Sequence, residues 1–448
     1  MRTVLKQGRY NIRSHFWSVM VFLVVGMRMV RNKYFRKCFR AVAGTALGFL
    51  FALLVAGAIL ELGARLRFGR PFPDILPDRE TLFRYPENGV AYYWFTEDEH
   101  GTKRPMPFYT NALGLRDDPI LPKGPEEFRV LMLGDSFTAG MGIEQLDETI
   151  PRQLQRLLRA RVQGRPVTVI NGGLGNSAPY QQLALLRKIA KETALDLVVL
   201  QLYPSNDLSD TLSRMDLHLE AYNAKNFIRR VSFARVARAP GGHCYMRAAT
   251  RSAAWCVLAN AIGTDPAEFY ARFMSHIPGT GVSPLPPVNP TAHLFWAVEP
   301  NLVEWYPLLQ LALETMQADV ANLKQFCADQ HIGLIAYTIP CVYSADPQRW
   351  ETDLPEEIRR NRVRGKDTAV GDALLERLGI EHPRLYEAMQ QRGPCGDLYY
   401  WYDMHLNREG ARFVAETLAD FLTAGLMREL SGTETGPLPP GARSASRK

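Results

Sequence analysis

The sequence predicts an α/β fold: a three-layer parallel sheet with helices on both faces, preceded by a transmembrane helix. Three observations carry this expectation. The apolar run Val130–Leu133 is unbroken, as in strands covered on both faces; a strand with one face in water would alternate. Runs of this kind take turns with amphipathic stretches in the order β-α-β-α-β, which requires crossover helices and so a parallel sheet. Ala41–Leu60 is a stretch of 20 residues without a charge.

The N-terminal 40 residues hold ten Lys or Arg and no Asp or Glu. They account for the net charge of +7, since the remainder has 43 basic against 46 acidic residues. With no basic stripe interleaved with aromatics in that near-neutral body, a nucleic-acid partner is not expected. The charge-free run reaches roughly 30 Å as a helix, one hydrocarbon thickness. It exceeds the apolar core of a signal peptide, and Glu61-Leu62-Gly63-Ala64 is a poor cleavage site. Residues 41–62 are therefore expected to be an uncleaved anchor. The cationic flank precedes the span, which places residues 1–40 in the cytoplasm and the rest outside the inner (cytoplasmic) membrane, crossed once. The earlier run Phe16–Met27 is too short to span well; it reads as an interfacial segment, or translation starts at Met27 or Met29.

Residues 63–127, rich in proline and aromatics, read as a juxtamembrane segment. A sheet domain is expected over 128–428. Its strands are 130–133, 166–171, 195–207 and 332–340. The stretch Thr149–Val162 has Ile150, Leu154, Leu157 and Leu158 on one helical face, and 180–192 is helix-like as well. Residues 208 to about 300 break the rhythm and read as an insertion. A helix near Trp305–Ala328 and a last helix at about Arg408–Leu426 follow, the latter with Asn407 as its N-cap. Residues 429–448 read as a disordered tail. None of the six cysteines forms a C-x-x-C pair and the nine histidines do not cluster, so no metal is expected. Cys244 and Cys256 are candidates for a disulfide.

Four loops fall at carboxyl ends of strands or just before the last helix, where ligands bind in open α/β sheets. They are "GDSFTAG" from Gly134, "NGGLGNSAP" from Asn171, "YPSND" from Tyr203 and "WYDMHLNREG" from Trp401. A serine, a glycine-rich backbone loop, an asparagine and an Asp-His pair are what acyl transfer needs. Serine requires a histidine to take its proton, a carboxylate to fix the imidazole, and N–H donors to hold the oxyanion.

These blocks, in this order, resemble the SGNH/GDSL hydrolase superfamily over roughly residues 110–428, with a flavodoxin-like sheet. The lead-in "TNALGLRDD" (Thr110–Asp118) and the anchor are similar to its membrane-anchored bacterial members. The resemblance implies Ser136 as nucleophile, Asp403 and His405 as acid and base, and Asn206 as an oxyanion donor. The family's second-block glycine falls on Asn176, with Gly175 just before it; either N–H is a candidate donor. Pro204 stands where the family has a glycine and lacks a donor of its own. Asp403 lies two residues before His405 rather than three, with Tyr402 at the usual acid position, so a Ser-His dyad is the alternative. Side chains at i and i+2 share a face of an extended segment, which is the expected route for Asp403 to the imidazole.

Taken singly, each residue has a plainer role. Ser136 could cap a helix, Asn206 the next segment, and His405 could be a surface residue. Gly172, Gly173 and Gly175 do not make a G-x-G-x-x-G loop, so no dinucleotide or other cofactor is expected. Tyr399–Tyr402 reads either as a sugar-binding wall or as core. Three functional readings follow. The first is a serine esterase removing O-acyl groups from a small-molecule or polysaccharide substrate. The second is an O-acyltransferase to an envelope or secreted polysaccharide, and the third a non-catalytic module on the same fold.

Overall fold

A computed structural model of the chain describes residues 33–68, 75–100, 102–162, 165–214, short pieces between 232 and 283, 307–354, 356–360 and 363–430. Most of the expected basic tail, the Phe16–Met27 run, the C-terminal tail and Cys256 lie outside these residues. Two compact units divide the chain: Met1–Pro71 with Ser252–Val257, and Phe72–Arg251 with Leu258–Lys448.

In the first unit a single helix, α1 (Lys33–Phe68), extends past both ends of the expected span. Its portion Arg40–Leu66 is long and apolar enough to cross a membrane, and none of its most apolar stretch is buried in the protein, unlike a core helix. Glu61, directly after the charge-free run, accepts hydrogen bonds from the Ser252 hydroxyl (2.9 Å) and the Ala254 N–H (3.0 Å).

The second unit opens with two antiparallel hairpins, β1 (Leu76–Asp78) with β2 (Leu82–Arg84), and β3 (Val90–Thr96) with β4 (Lys103–Tyr109). They were expected as a juxtamembrane segment apart from the sheet domain; they belong to the same compact unit as the sheet. Phe83, Tyr85, Ala91 and Phe108 pack with Ala139, Met141 and Leu174 beside the sheet's carboxyl edge.

The four expected strands form one parallel sheet: β5 (Phe128–Gly134), β6 (Val167–Gly173), β7 (Leu197–Leu202) and β8 (Gly333–Thr338), in the order β6-β5-β7-β8. Between them run α2 (Ser136–Ala139), α3 (Ile150–Arg161), α4 (Pro179–Glu192), α5 (Pro204–Ser213) and α6 (Pro307–Asp329), and after β8 come α7 (Lys366–Arg377) and α8 (Arg408–Leu430). Every residue of β5 is buried, and successive side chains serve opposite layers. Val130 and Met132 join a core with Ile150, Leu154 and Leu158 of α3 and Val414, Leu418 and Leu422 of α8. Leu131 and Leu133 join the other, with Leu186 of α4, Met316 and Val320 of α6, and Leu374 of α7. This is the three-layer α/β fold expected. Asn407 caps α8, its Oδ1 accepting from the N–H groups of Glu409 (2.9 Å) and Gly410 (3.0 Å). Because β6 and β7 flank β5, the direction of winding reverses at β5, and the crevice of such a sheet opens at that strand's carboxyl end.

Candidate active site

Ser136 stands in that crevice. Asp135 follows the strand and caps α2, its Oδ1 accepting from the Phe137 N–H at 2.9 Å. The buried Gln201 side chain on β7 ties the turn down, its Oε1 accepting from the Asp135 N–H and the Thr138 hydroxyl, each at 3.0 Å. Gly134 is needed because a methyl there would collide with Thr138 and Gln201. The same holds for Gly173 at the end of β6. A Cβ on Gly173 would lie 2.5 Å from the Ala139 Cα and 2.6 Å from the Thr138 carbonyl carbon.

His405 and Asp403 arrive from the loop before α8. The Ser136 hydroxyl is 2.8 Å from His405 Nε2, and His405 Nδ1 is 2.6 Å from Asp403 Oδ1. The two-residue spacing reaches the imidazole, but not through an extended segment. Residues 401–403 form a turn and Met404 between the pair has φ +66°, a left-handed residue that folds the two side chains toward each other. Tyr400 holds this kink from both ends: its N–H donates to the His405 carbonyl (2.8 Å), and its carbonyl accepts from the Met404 N–H (3.0 Å). Tyr402, at the position where the family's acid stands, is exposed. Phe137 packs against the His405 ring with centroids 5.0 Å apart.

The electrostatics follow from burial and pairing. Burial of the His405 ring disfavours the imidazolium, but the charge and hydrogen bond of Asp403 outweigh it and raise the pKa above the usual histidine value. Burial likewise opposes charge on Asp403; the His405 charge and hydrogen bond and donors from Thr96 and Tyr93 prevail and lower its pKa. Asp135 and Asp207 are fully buried, and burial raises both; repulsion from Asp135 adds to the rise at Asp207. Asp207 Oδ2 accepts from the Tyr203 N–H at 2.6 Å, the structural role of that residue.

The candidate oxyanion donors separate. Gly175 lies beside Ser136: a Cβ on it would sit 3.9 Å from Ser136 Cβ. Its N–H donates to the Tyr85 hydroxyl at 2.7 Å. Asn176 follows in a left-handed turn with φ +60°. Asn206, in the first turn of α5, donates through Nδ2 to Asp135 Oδ2 at 3.2 Å. Pro204 opens α5 at a position whose N–H has no intrahelical acceptor, so the proline costs the helix nothing.

Several residues of the site carried no signal for these roles in the sequence. Tyr93 and Thr96 on β3 both donate to Asp403, the Tyr93 hydroxyl at 2.8 and 2.9 Å from its two oxygens and the Thr96 N–H at 3.0 Å from Oδ2. Arg116, in the lead-in block, is buried with its guanidinium on the carbonyls of Ala139 (3.2 Å), Gly140 (2.5 Å), Ile143 and Glu144 (3.2 Å), fastening the loop behind α2. Burial lowers its pKa to about 10. The aromatic run splits. Tyr399 is core, with its hydroxyl on the Pro340 carbonyl (2.8 Å), and the Tyr400 hydroxyl bonds the Gly142 carbonyl (2.8 Å). Trp401 is half exposed, with the Arg349 guanidinium 4.4 Å from its ring. The described cysteines Cys244, Cys327, Cys341 and Cys395 are free thiols.

No protein-family model matches the chain, and no curated protein matches it. Solved structures do. An acetylxylan esterase from Geobacillus stearothermophilus is similar at TM-score 0.34 and 11% identity, over 65% of this chain and 93% of that one. A lipase/acylhydrolase from Enterococcus faecalis is similar at 0.31 and 13%, over 66% and 96%. The esterase EstA from Pseudoalteromonas sp., inhibited by monoethylphosphonate, is similar at 0.32 and 12%, over 67% and 98%.

Proposed function

We propose that the chain is a membrane-anchored, extracytoplasmic serine esterase that removes O-acyl groups through an acyl-enzyme on Ser136. The observation that carries this reading is the unbroken line from the Ser136 hydroxyl through the His405 ring to Asp403. A core histidine or a helix-capping serine has no need of that line, and it weighs against a non-catalytic module. The order of the motif blocks, with its resemblance to SGNH/GDSL hydrolases, supports the same reading.

In this mechanism Ser136 Oγ attacks the ester carbonyl as His405 Nε2 takes its proton. The carbonyl oxygen becomes an oxyanion, held by the Ser136 backbone N–H and by the second proton of the Asn206 amide; the Gly175 N–H is already taken by the Tyr85 hydroxyl. The intermediate collapses, the C–O bond to the alcohol breaks, and the imidazolium returns its proton to the leaving oxygen. Water, activated by the same imidazole, releases the acid and restores Ser136. Asp403 stays ionised and stabilises the imidazolium. A sugar hydroxyl in place of that water would make the reaction acyl transfer. The anchor is α1, and the cationic residues before it favour an orientation with the site outside the cytoplasm.

The test uses the full-length protein in detergent micelles. Short-chain aryl esters are expected to be hydrolysed, a phosphonate probe to label the Ser136 peptide, and Ser136→Ala to abolish both. Hydrolysis that survives Ser136→Ala overturns the reading.

A further inference from the structure

The structure assigns to Tyr93, more than 300 residues upstream of the Asp-His pair, the task of positioning the acid and selecting the base's tautomer; this rests on the Ser136–His405–Asp403 reading. Three donors converge on Asp403: the His405 ring, the Tyr93 hydroxyl and the Thr96 N–H. Two of the three come from β3. Asp403 is 9% exposed, and a buried carboxylate keeps its charge only where donors replace water. The Met404 kink brings the acid to the ring without fixing the carboxylate's rotation. The hairpin supplies that restraint.

Tyr93 does a second thing that Thr96 cannot. Its oxygen also lies 3.0 Å from His405 Nδ1, and its proton is spent on the carboxylate. What it turns toward Nδ1 is therefore a lone pair. With Asp403 Oδ1 at 2.6 Å on the same nitrogen, Nδ1 faces acceptors on both sides and must carry the ring proton. Nε2, 2.8 Å from the Ser136 hydroxyl, is then the unprotonated nitrogen a general base needs. The Tyr93 ring, edge-on to the imidazole at a centroid distance of 5.4 Å, packs independently of the hydroxyl.

Tyr93→Phe removes the hydroxyl and keeps that packing. Wild type, Tyr93→Phe, Asp403→Asn and the double variant are compared by aryl-ester kinetics across pH, each at full length and each checked by thermal melting. Loss of a hydrogen bond to a charged group is expected to lower kcat by about tenfold. The acid limb of the kcat profile is expected to move up, by roughly half a unit, because a carboxylate relieved of the phenol pulls harder on the imidazolium. In the Asp403→Asn background the Tyr93 substitution is expected to change kcat less than twofold, since the hydroxyl turns a lone pair to Nδ1 only while the carboxylate holds its proton. A Tyr93→Phe variant with the wild-type rate and limb, or effects that multiply in the double variant, overturns the inference. Either result, in a wild type that is active and labelled at Ser136, leaves the esterase reading standing; an inert, unlabelled wild type overturns that reading first, and with it the assignment to Tyr93.

Discussion

Gly173→Ala would add one methyl group where a strand end meets the nucleophile's helix. The new carbon would fall 2.5 Å from the Ala139 Cα and 2.6 Å from the Thr138 carbonyl carbon. Carbon atoms pack at about 3.5–4.0 Å, so the two elements must part by roughly 1 Å. The obstructing atoms are backbone, with no side chain to swing aside. Overpacking of this kind costs about 1–3 kcal/mol of stability. The catalytic effect should be larger in proportion. Moving α2 by that amount against the His405 loop stretches the 2.8 Å Ser136–His405 contact beyond hydrogen-bond reach. A 1 Å misplacement of a reacting group can cost about 100-fold. The assay pairs thermal melting with kcat/KM for an aryl ester. A variant with wild-type melting and wild-type rate would show that the close approach does not constrain the nucleophile.

Asp403→Asn should lower kcat by about 10⁴-fold, since the amide cannot serve all three donors. The acid limb of its pH profile should move down, because Asp403 is what raises His405; a limb that stays in place would refute that cause. Asp403's lowered pKa also makes a stability statement. Its contribution is complete above the unfolded value near 3.9 and is lost as pH falls through the folded one, so Asp403→Asn should flatten acid unfolding, measured by circular dichroism. Asn206→Ala should cost about 100-fold in kcat with little change in KM, the pattern of a donor used in the transition state; a change in KM alone would remove Asn206 from the oxyanion site. Arg116→Met should destabilise by about 3 kcal/mol, read from urea unfolding, because buried carbonyls at 139–144 lose their donor; an unchanged midpoint would show that water replaces it.

The sheet was legible because burial on both faces favours near-continuous apolar runs, as in Val130–Leu133 of β5, Leu197–Leu200 of β7 and Leu334–Ala336 of β8. Ser136, His405 and Asp403 were legible as candidates because acyl-transfer chemistry restricts residue type, and they stand at strand or helix ends. The hairpin that steadies the acid was not. Pro105 and Pro107 fall within β4, and proline ordinarily argues against a strand; here Pro105 pairs with Trp94 and Pro107 with Tyr92 in a two-stranded ribbon. The left-handed Met404 was equally hidden, since methionine gives no sign of positive φ. Pro204 looked like a defect because the family's glycine offers a donor there, but the fold spends that position on the first turn of a helix.

The clasp that β3 puts on Asp403 bears on where the chain can be cut. A fragment starting at Phe128 would keep every strand of the parallel sheet, the serine and the histidine. Its acid would have lost the phenol and the Thr96 amide, leaving the imidazole as the sole survivor of the three donors. Such a fragment would present a well-formed scaffold with a loosened Asp403, and low turnover by it would say little about the full chain. The smallest unit worth purifying therefore begins upstream of β3, well before the first strand of the sheet.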